Sequence, residues 1–87
     1  MTQIIYPNGV IDYLTDSVTR GYVEQLVSGP INYMFDLNGI MFMMTNAESL
    51  LLGLDLNEIA SEIATSTLGY DVYIAGPAVY MSDLIDN

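Results

Sequence analysis

The Asn38-Gly39 pair, which lies between two apolar runs, constrains the fold of this chain more than any other feature. Asn-Gly flanked by strand-like residues is the strongest short-range signal for a β-hairpin. The segment 31–44 (INYMFDLNGIMFMM) therefore predicts a hairpin, and we expect its strands to lie at the centre of the sheet. The second strand is apolar on both faces, which predicts burial on both sides. We expect helices to cover one face, and another chain is the candidate to cover the other.

The hairpin also contains four methionines, Met34, Met41, Met43 and Met44. Methionine side chains are flexible enough to fill irregular gaps in a core, which favours core packing. The alternative interpretation is a soft contact surface for a partner.

A second hairpin is predicted near the start of the chain. The runs 3–6 and 10–14 are rich in β-branched and aromatic residues, and Pro7-Asn8-Gly9 lies between them. Pro7 cannot donate a ladder hydrogen bond, which suits an edge position.

Two helices are predicted from apolar spacing. The first follows the cluster Thr15-Asp16-Ser17, and Ser28-Gly29-Pro30 ends it. The second covers 56–65, with Asp55 as its N-cap. The apolar stripes are Val18, Tyr22, Val23, Leu26 and Val27 in the first helix, and Leu56, Ile59, Ala60, Ile63 and Ala64 in the second.

The remaining elements are short. A helical turn is expected at 49–52, ended by Gly53, and a last strand at 71–75. Gly76-Pro77 bends that strand, and 78–81 is its expected continuation. The resulting order ββαββαβ predicts a single α+β domain over residues 1–87, with an antiparallel sheet of about four to five strands and two helices on one face.

The net charge of this chain limits its partners. Eleven acidic residues are balanced by one arginine, with no lysine or histidine, so the formal net charge is −10. Such a chain has no basic surface for nucleic acid and is repelled by an anionic membrane. A basic protein surface is the expected partner, since long-range attraction would steer the two together. The alternative is that the acidity only keeps the protein soluble.

Apolar residues make up 52% of only 87 residues, and seven tyrosines are among them. This is more core-forming material than a small domain needs, so a homo-oligomer or a permanent partner would use the surplus. The N-terminus has no signal-peptide pattern and no apolar run is long enough to span a membrane, which favours the cytoplasm.

The sequence offers few side chains that could act in catalysis. Without cysteine or histidine, only paired carboxylates remain, Glu58 with Glu62 and Asp12 with Asp16. Both pairs fall at exposed helical or turn positions, where solvated charge is the better interpretation. We therefore expect no enzyme activity, no cofactor and no metal.

Residues 36–39 (DLNG) contain a fragment of a calcium-binding loop. An EF-hand requires a glutamate at its twelfth position, and Glu48 stands one residue too late. The hairpin interpretation is favoured.

Several stretches together resemble a known family: YPNG, GYVEQLVSG, FDLNGIM, LGLDLNEIASEIA and DVYIAGPAVYM. They are similar to the domain-of-unknown-function family 3846 of small phage and mobile-element proteins. Asp55 stands where that family has proline, and Ser61 where it has threonine. The resemblance implies a phage or plasmid gene acting in a host cell, among genes directed against host defences, and it carries no activity.

Charge and resemblance together favour an anti-defence inhibitor of the anti-CRISPR or anti-restriction type. Its carboxylates would imitate nucleic-acid phosphates on a host protein. Glu58 and Glu62 are separated by about 6 Å of helical rise, close to the spacing of phosphates along a strand. The candidate partner-binding residues are Asp16, Glu24, Asp55, Glu58 and Glu62.

Two other functions stay open. A homo-oligomeric binder of a small nucleotide signal would stack bases on tyrosines and hold phosphates through Arg20 and the N–H groups at helix starts. A structural assembly subunit would use its methionine- and tyrosine-rich face as an obligate interface.

Overall fold

The computed structural model describes residues 2–14 and 18–81. Within them the chain forms an antiparallel sheet and three helices, which confirms the α+β class. The short turn expected at 49–52 is the additional helix. The strands are β1 (Thr2–Ile5), β2 (Ile11–Leu14), β3 (Ile31–Phe35), β4 (Met41–Asn46) and β5 (Ala78–Met81), and the helices are α1 (Arg20–Val27), α2 (Ser49–Leu52) and α3 (Glu58–Leu68).

The sheet has the strand order β2-β1-β5-β4-β3, and every neighbouring pair is antiparallel. Both expected hairpins are present, but the expectation that the β3–β4 hairpin is central is wrong. β5 is the central strand, and β3 is an edge. The residues explain this order, because Ala78 and Val79 of β5 are both completely buried and so need cover on both faces of the sheet.

The two long helices cover opposite faces, not one face as the sequence predicted. Neighbouring residues of a strand point to opposite sides. Ala78 packs in one core cluster with Ala60 and Ala64 of α3, whereas Val79 packs in the other with Val23 and Val27 of α1. The apolar second strand of the hairpin is therefore buried on both faces within a single chain.

The methionines belong to these two clusters. Met43 lies in the cluster under α3 and Met44 in the cluster under α1, and both are buried. Met34 packs against the first cluster and Met41 against the second. Core packing, the favoured interpretation, is what the structure shows.

The β3–β4 turn differs in detail from a two-residue Asn-Gly turn. The Asp36 amide donates to the Ile40 carbonyl, and Gly39 alone carries the positive φ of 79°. The Asp36 carboxylate accepts hydrogen bonds from the amides of Asn38 (2.8 Å) and Ile40 (2.9 Å). The carboxylate that would open a calcium loop is therefore part of the turn.

The first helix begins later than predicted. Its N-cap is Thr19, whose hydroxyl accepts a hydrogen bond from the Tyr22 amide at 3.2 Å. The cluster Thr15-Asp16-Ser17 lies outside the described residues. Since Val18 precedes the helix, it reaches the core cluster under α1 from the loop.

Candidate functional site

Asn57 determines where α3 begins and how the helix is attached to the sheet. This completely buried residue is the N-cap, and its side-chain oxygen accepts from the Ala60 amide at 3.2 Å. Its side-chain amide donates to the carbonyls of Ile5 (2.8 Å) and Gly76 (2.9 Å). The expectation that Asp55 is the cap is wrong, because the helix begins two residues later than that cap requires. Asparagine suits position 57 because its amide donates to both carbonyls, which a carboxylate cannot do.

The start of the predicted second helix shifts with its cap. Leu56, expected in the buried stripe, precedes the cap and is half exposed, and it pairs with Ala75 in an isolated β-bridge. Ala60 and Ala64 are completely buried as expected, and the helix continues to Leu68.

Two hydroxyl side chains of α3 attach the segment that follows the helix. The Ser61 hydroxyl accepts from the Ile74 amide at 2.8 Å and donates to the Asn57 carbonyl at 2.7 Å. One turn later, the Thr65 hydroxyl accepts from the Val72 amide at 2.9 Å. These bonds satisfy backbone groups that would otherwise need a neighbouring strand.

Residues 72–75, here called the ridge, are therefore not the last strand that the sequence predicted. Apart from the bridge at Ala75, the ridge follows α3 and does not extend the sheet. Gly76, with a φ of 79°, and Pro77 then turn the chain into β5. The sheet uses the run 78–81, which the sequence treated only as a continuation.

A groove of about 590 Å³ lies between α3 and the ridge. Three carboxylates line it: Glu58 and Glu62 from α3, and Asp71 from the approach to the ridge. All three residues are exposed. The other lining residues are Leu56, Ser61, Thr65, Ser66, Val72 and Tyr73. We call this the acidic groove.

The structure separates the five predicted site residues. Glu58 and Glu62 line the acidic groove, and Asp55 lies exposed two residues before the cap of α3. Glu24 is on α1, on the opposite face of the sheet, where its carboxylate is 3.9 Å from the Arg20 guanidinium. Asp16 lies outside the described residues.

The sequence alone does not place Asp71 and Tyr73 in the site, because it predicts a strand over residues 71–75. The available signal was Ser61 and Thr65, four residues apart. Hydroxyl groups at this spacing beside the alanine stripe share one side of the helix. There they could hold a segment that runs back along it.

The charges of the acidic groove are uncompensated by any basic side chain on that face. Arg20, the one basic side chain of the sequence, lies across the sheet on α1. Three exposed carboxylates without a cation attract lysine or arginine side chains of another molecule. In residues 2–14 and 18–81 the acidic side chains form no cluster suited to a metal ion.

The helices within the described ranges are too short and too polar to cross a membrane. Comparisons of the chain with protein-family models, curated proteins and solved structures gave no significant match.

Proposed function

We propose that this chain binds a basic protein surface through the acidic groove and thereby keeps nucleic acid away from that surface. The observation that carries the proposal is that Glu58, Glu62 and Asp71 line one groove, with the only basic side chain of the sequence on the other face. Glu58 and Glu62 follow one another at about 6 Å along the helix axis. A row of fixed negative charges is what a phosphate-binding surface recognises.

The proposed partner is a host defence protein that handles nucleic acid, as in anti-CRISPR or anti-restriction inhibition. This part of the proposal depends on the resemblance to family 3846 and on the charge. The acidic groove supports only the binding of a basic surface.

The nucleotide-signal alternative receives less support from the geometry. Arg20 is exposed and beside Glu24, away from the acidic groove. Asp55 does not start a helix, and at the observed start of α3 the side chain of Asn57 already occupies the Ala60 amide. A groove lined by three carboxylates repels phosphate.

The test is affinity capture from a bacterial lysate with three forms of the tagged chain. The first is unchanged, the second carries Glu58→Gln and Glu62→Gln, and the third carries Asp12→Asn and Glu24→Gln. Asp12 and Glu24 are exposed on the α1 face, so the third form loses the same charge from the other side. Circular dichroism checks that all three are folded.

We expect the unchanged and third forms to retain nucleic-acid-binding proteins, and duplex DNA or near-molar salt to release them. The second form should retain much less. Equal capture by all three forms, or capture unaffected by salt and DNA, would contradict the proposal.

A further inference from the structure

The α3 side of the molecule also carries exposed leucines that are not part of the core. In α2, Leu50 is 93% exposed and Leu51 is 85% exposed, and Leu52 is more than half exposed. Adjacent large apolar residues on a surface mark an interaction site more often than isolated ones do. α2 is held by its own backbone bonds and by Gly53 in the left-handed conformation, so these side chains are not needed to form it.

Leu50 and Leu51 line a second groove, of about 420 Å³, which we call the apolar groove. Asn32 and Met34 of β3 and the ridge residues 72–75 also line it, together with residues 45–49, which include the exposed carboxylate of Glu48. Tyr73 and Val72 line the acidic groove as well. The two grooves therefore lie side by side and share the ridge, on which Tyr73 is 79% exposed.

Charge decides between the candidate occupants of the apolar groove. A second copy would bring another net charge of −10 against this face, with Glu58, Glu62 and Asp71 one ridge away. Repulsion between these like charges opposes the association of two copies. A positively charged segment gains attraction from the same carboxylates, so complementarity favours a basic partner.

We infer that the partner docks through an amphipathic basic segment, with its large apolar side chains against Leu50, Leu51 and Tyr73, and its lysine or arginine side chains in the acidic groove. The inference rests on the proposed function and adds the chemistry of the partner. Burial of apolar surface is not screened by salt, so part of the binding persists where the electrostatic part is lost.

The test uses two synthetic peptides of equal length and charge. One is an amphipathic helix of lysine and leucine, and in the other serine replaces every leucine. Their affinities are measured by titration calorimetry at low and high salt. The chain is used unchanged, with Leu50→Ser and Leu51→Ser together, with Glu58→Gln and Glu62→Gln together, and with Leu37→Ser. Leu37 is the matched control, since it is 79% exposed in the β3–β4 turn, away from both grooves.

The unchanged chain should bind the lysine–leucine peptide more tightly, and retain part of that affinity in high salt. The α2 double variant should lose about tenfold or more in affinity for it, and stay within about twofold for the lysine–serine peptide. Leu37→Ser should change neither affinity.

Three results would overturn the inference. Equal binding of both peptides, with the glutamate variant alone weakened, would contradict the apolar contact and leave the proposed function standing. A concentration-dependent dimer that is abolished by the α2 variant would show that a second copy occupies the groove. Absence of binding to either peptide would contradict the proposed function itself, and the inference with it.

Discussion

The two faces of the sheet are covered by helices that are held in different ways. On one face, α1 packs through Val23 and Val27 onto Met44 and Val79, and its last carbonyl accepts one hydrogen bond from the Asn46 side chain at 2.7 Å. On the other face, the helix contributes small residues that allow close approach, and polar side chains that bind the backbone of other segments. The face held by polar contacts carries the acidic groove.

The two kinds of contact differ in what they specify. A valine stripe creates contact without specifying a partner segment. The buried hydrogen bonds of Asn57, Ser61 and Thr65 fix the position of named backbone groups, because an unpaired buried group is costly. The ridge, and therefore the acidic groove, depends on this second kind of contact.

The largest expected effect is at Asn57. Asn57→Ala removes the cap and the side-chain amide that donates to the carbonyls of Ile5 and Gly76, which should lower the free energy of unfolding by about 3 kcal/mol. Urea unfolding followed by circular dichroism measures the loss. Asn57→Asp keeps the cap acceptor but removes both donors, so it should also destabilise strongly. Asn32→Ala, at an exposed position, is the control, and an Asn57→Asp protein as stable as the unchanged chain would contradict the attachment role.

A smaller effect is expected at Ser61. Ser61→Ala leaves the buried Ile74 amide without its acceptor and should lower the free energy of unfolding by about 1–2 kcal/mol. It should also loosen the ridge, so the amides of residues 72–74 should exchange with deuterium faster than in the unchanged chain. Ser66→Ala, on the exposed side of the same helix, should change neither quantity. Unchanged exchange in the Ser61 variant would mean that the ridge is held by other contacts.

Salt should stabilise the whole molecule modestly. Ten unbalanced negative charges repel one another in the folded chain, and about 0.1 M salt screens such charges beyond about 10 Å. The melting temperature should therefore rise between low and moderate salt. A melting temperature that does not change with salt would show that repulsion between the carboxylates contributes little to stability. The double glutamine variant of α3 should show a smaller rise.

The smallest effect concerns Tyr6, on the α1 side of the chain. Burial raises the pKa of its hydroxyl, and the carboxylate of Asp12 adds to the rise. The folded chain thus holds this proton more tightly than the unfolded chain does. The resulting stability is complete below a pH of about 10 and is lost as the pH rises through the folded pKa. Tyr6→Phe should lose less stability than the unchanged chain on alkaline titration, and Tyr13→Phe, at an exposed position, is the comparison. Identical alkaline losses in Tyr6→Phe and the unchanged chain would contradict this.

Local sequence signals predicted much of the fold. Asn-Gly pairs located both hairpins, and helical spacing located both long helices, because these signals act over a few residues. The strand order, the opposite placement of the helices and the nature of residues 71–75 depend on contacts between distant segments. The bond from Asn57 to Ile5 spans 52 residues, and no local pattern specifies it.

The residues of the candidate site likewise fall into those that local sequence predicts and those that depend on contacts between distant segments. Glu58 and Glu62 could be predicted, since their spacing on one helix brings them together. The sequence could not show that Glu24 lies far from Glu58 and Glu62. The distance between them depends on which face of the sheet α1 covers. Asp71 and Tyr73 join the site only because Ser61 and Thr65 hold the ridge beside the helix.

An amide NMR titration of the labelled chain with the lysine–leucine peptide tests most directly the claim that the α3 face alone binds. The account predicts shifts at Glu58, Glu62 and Tyr73, with the amides of α1 unchanged. Shifts centred on residues 20–27, or spread evenly over both faces, would contradict it.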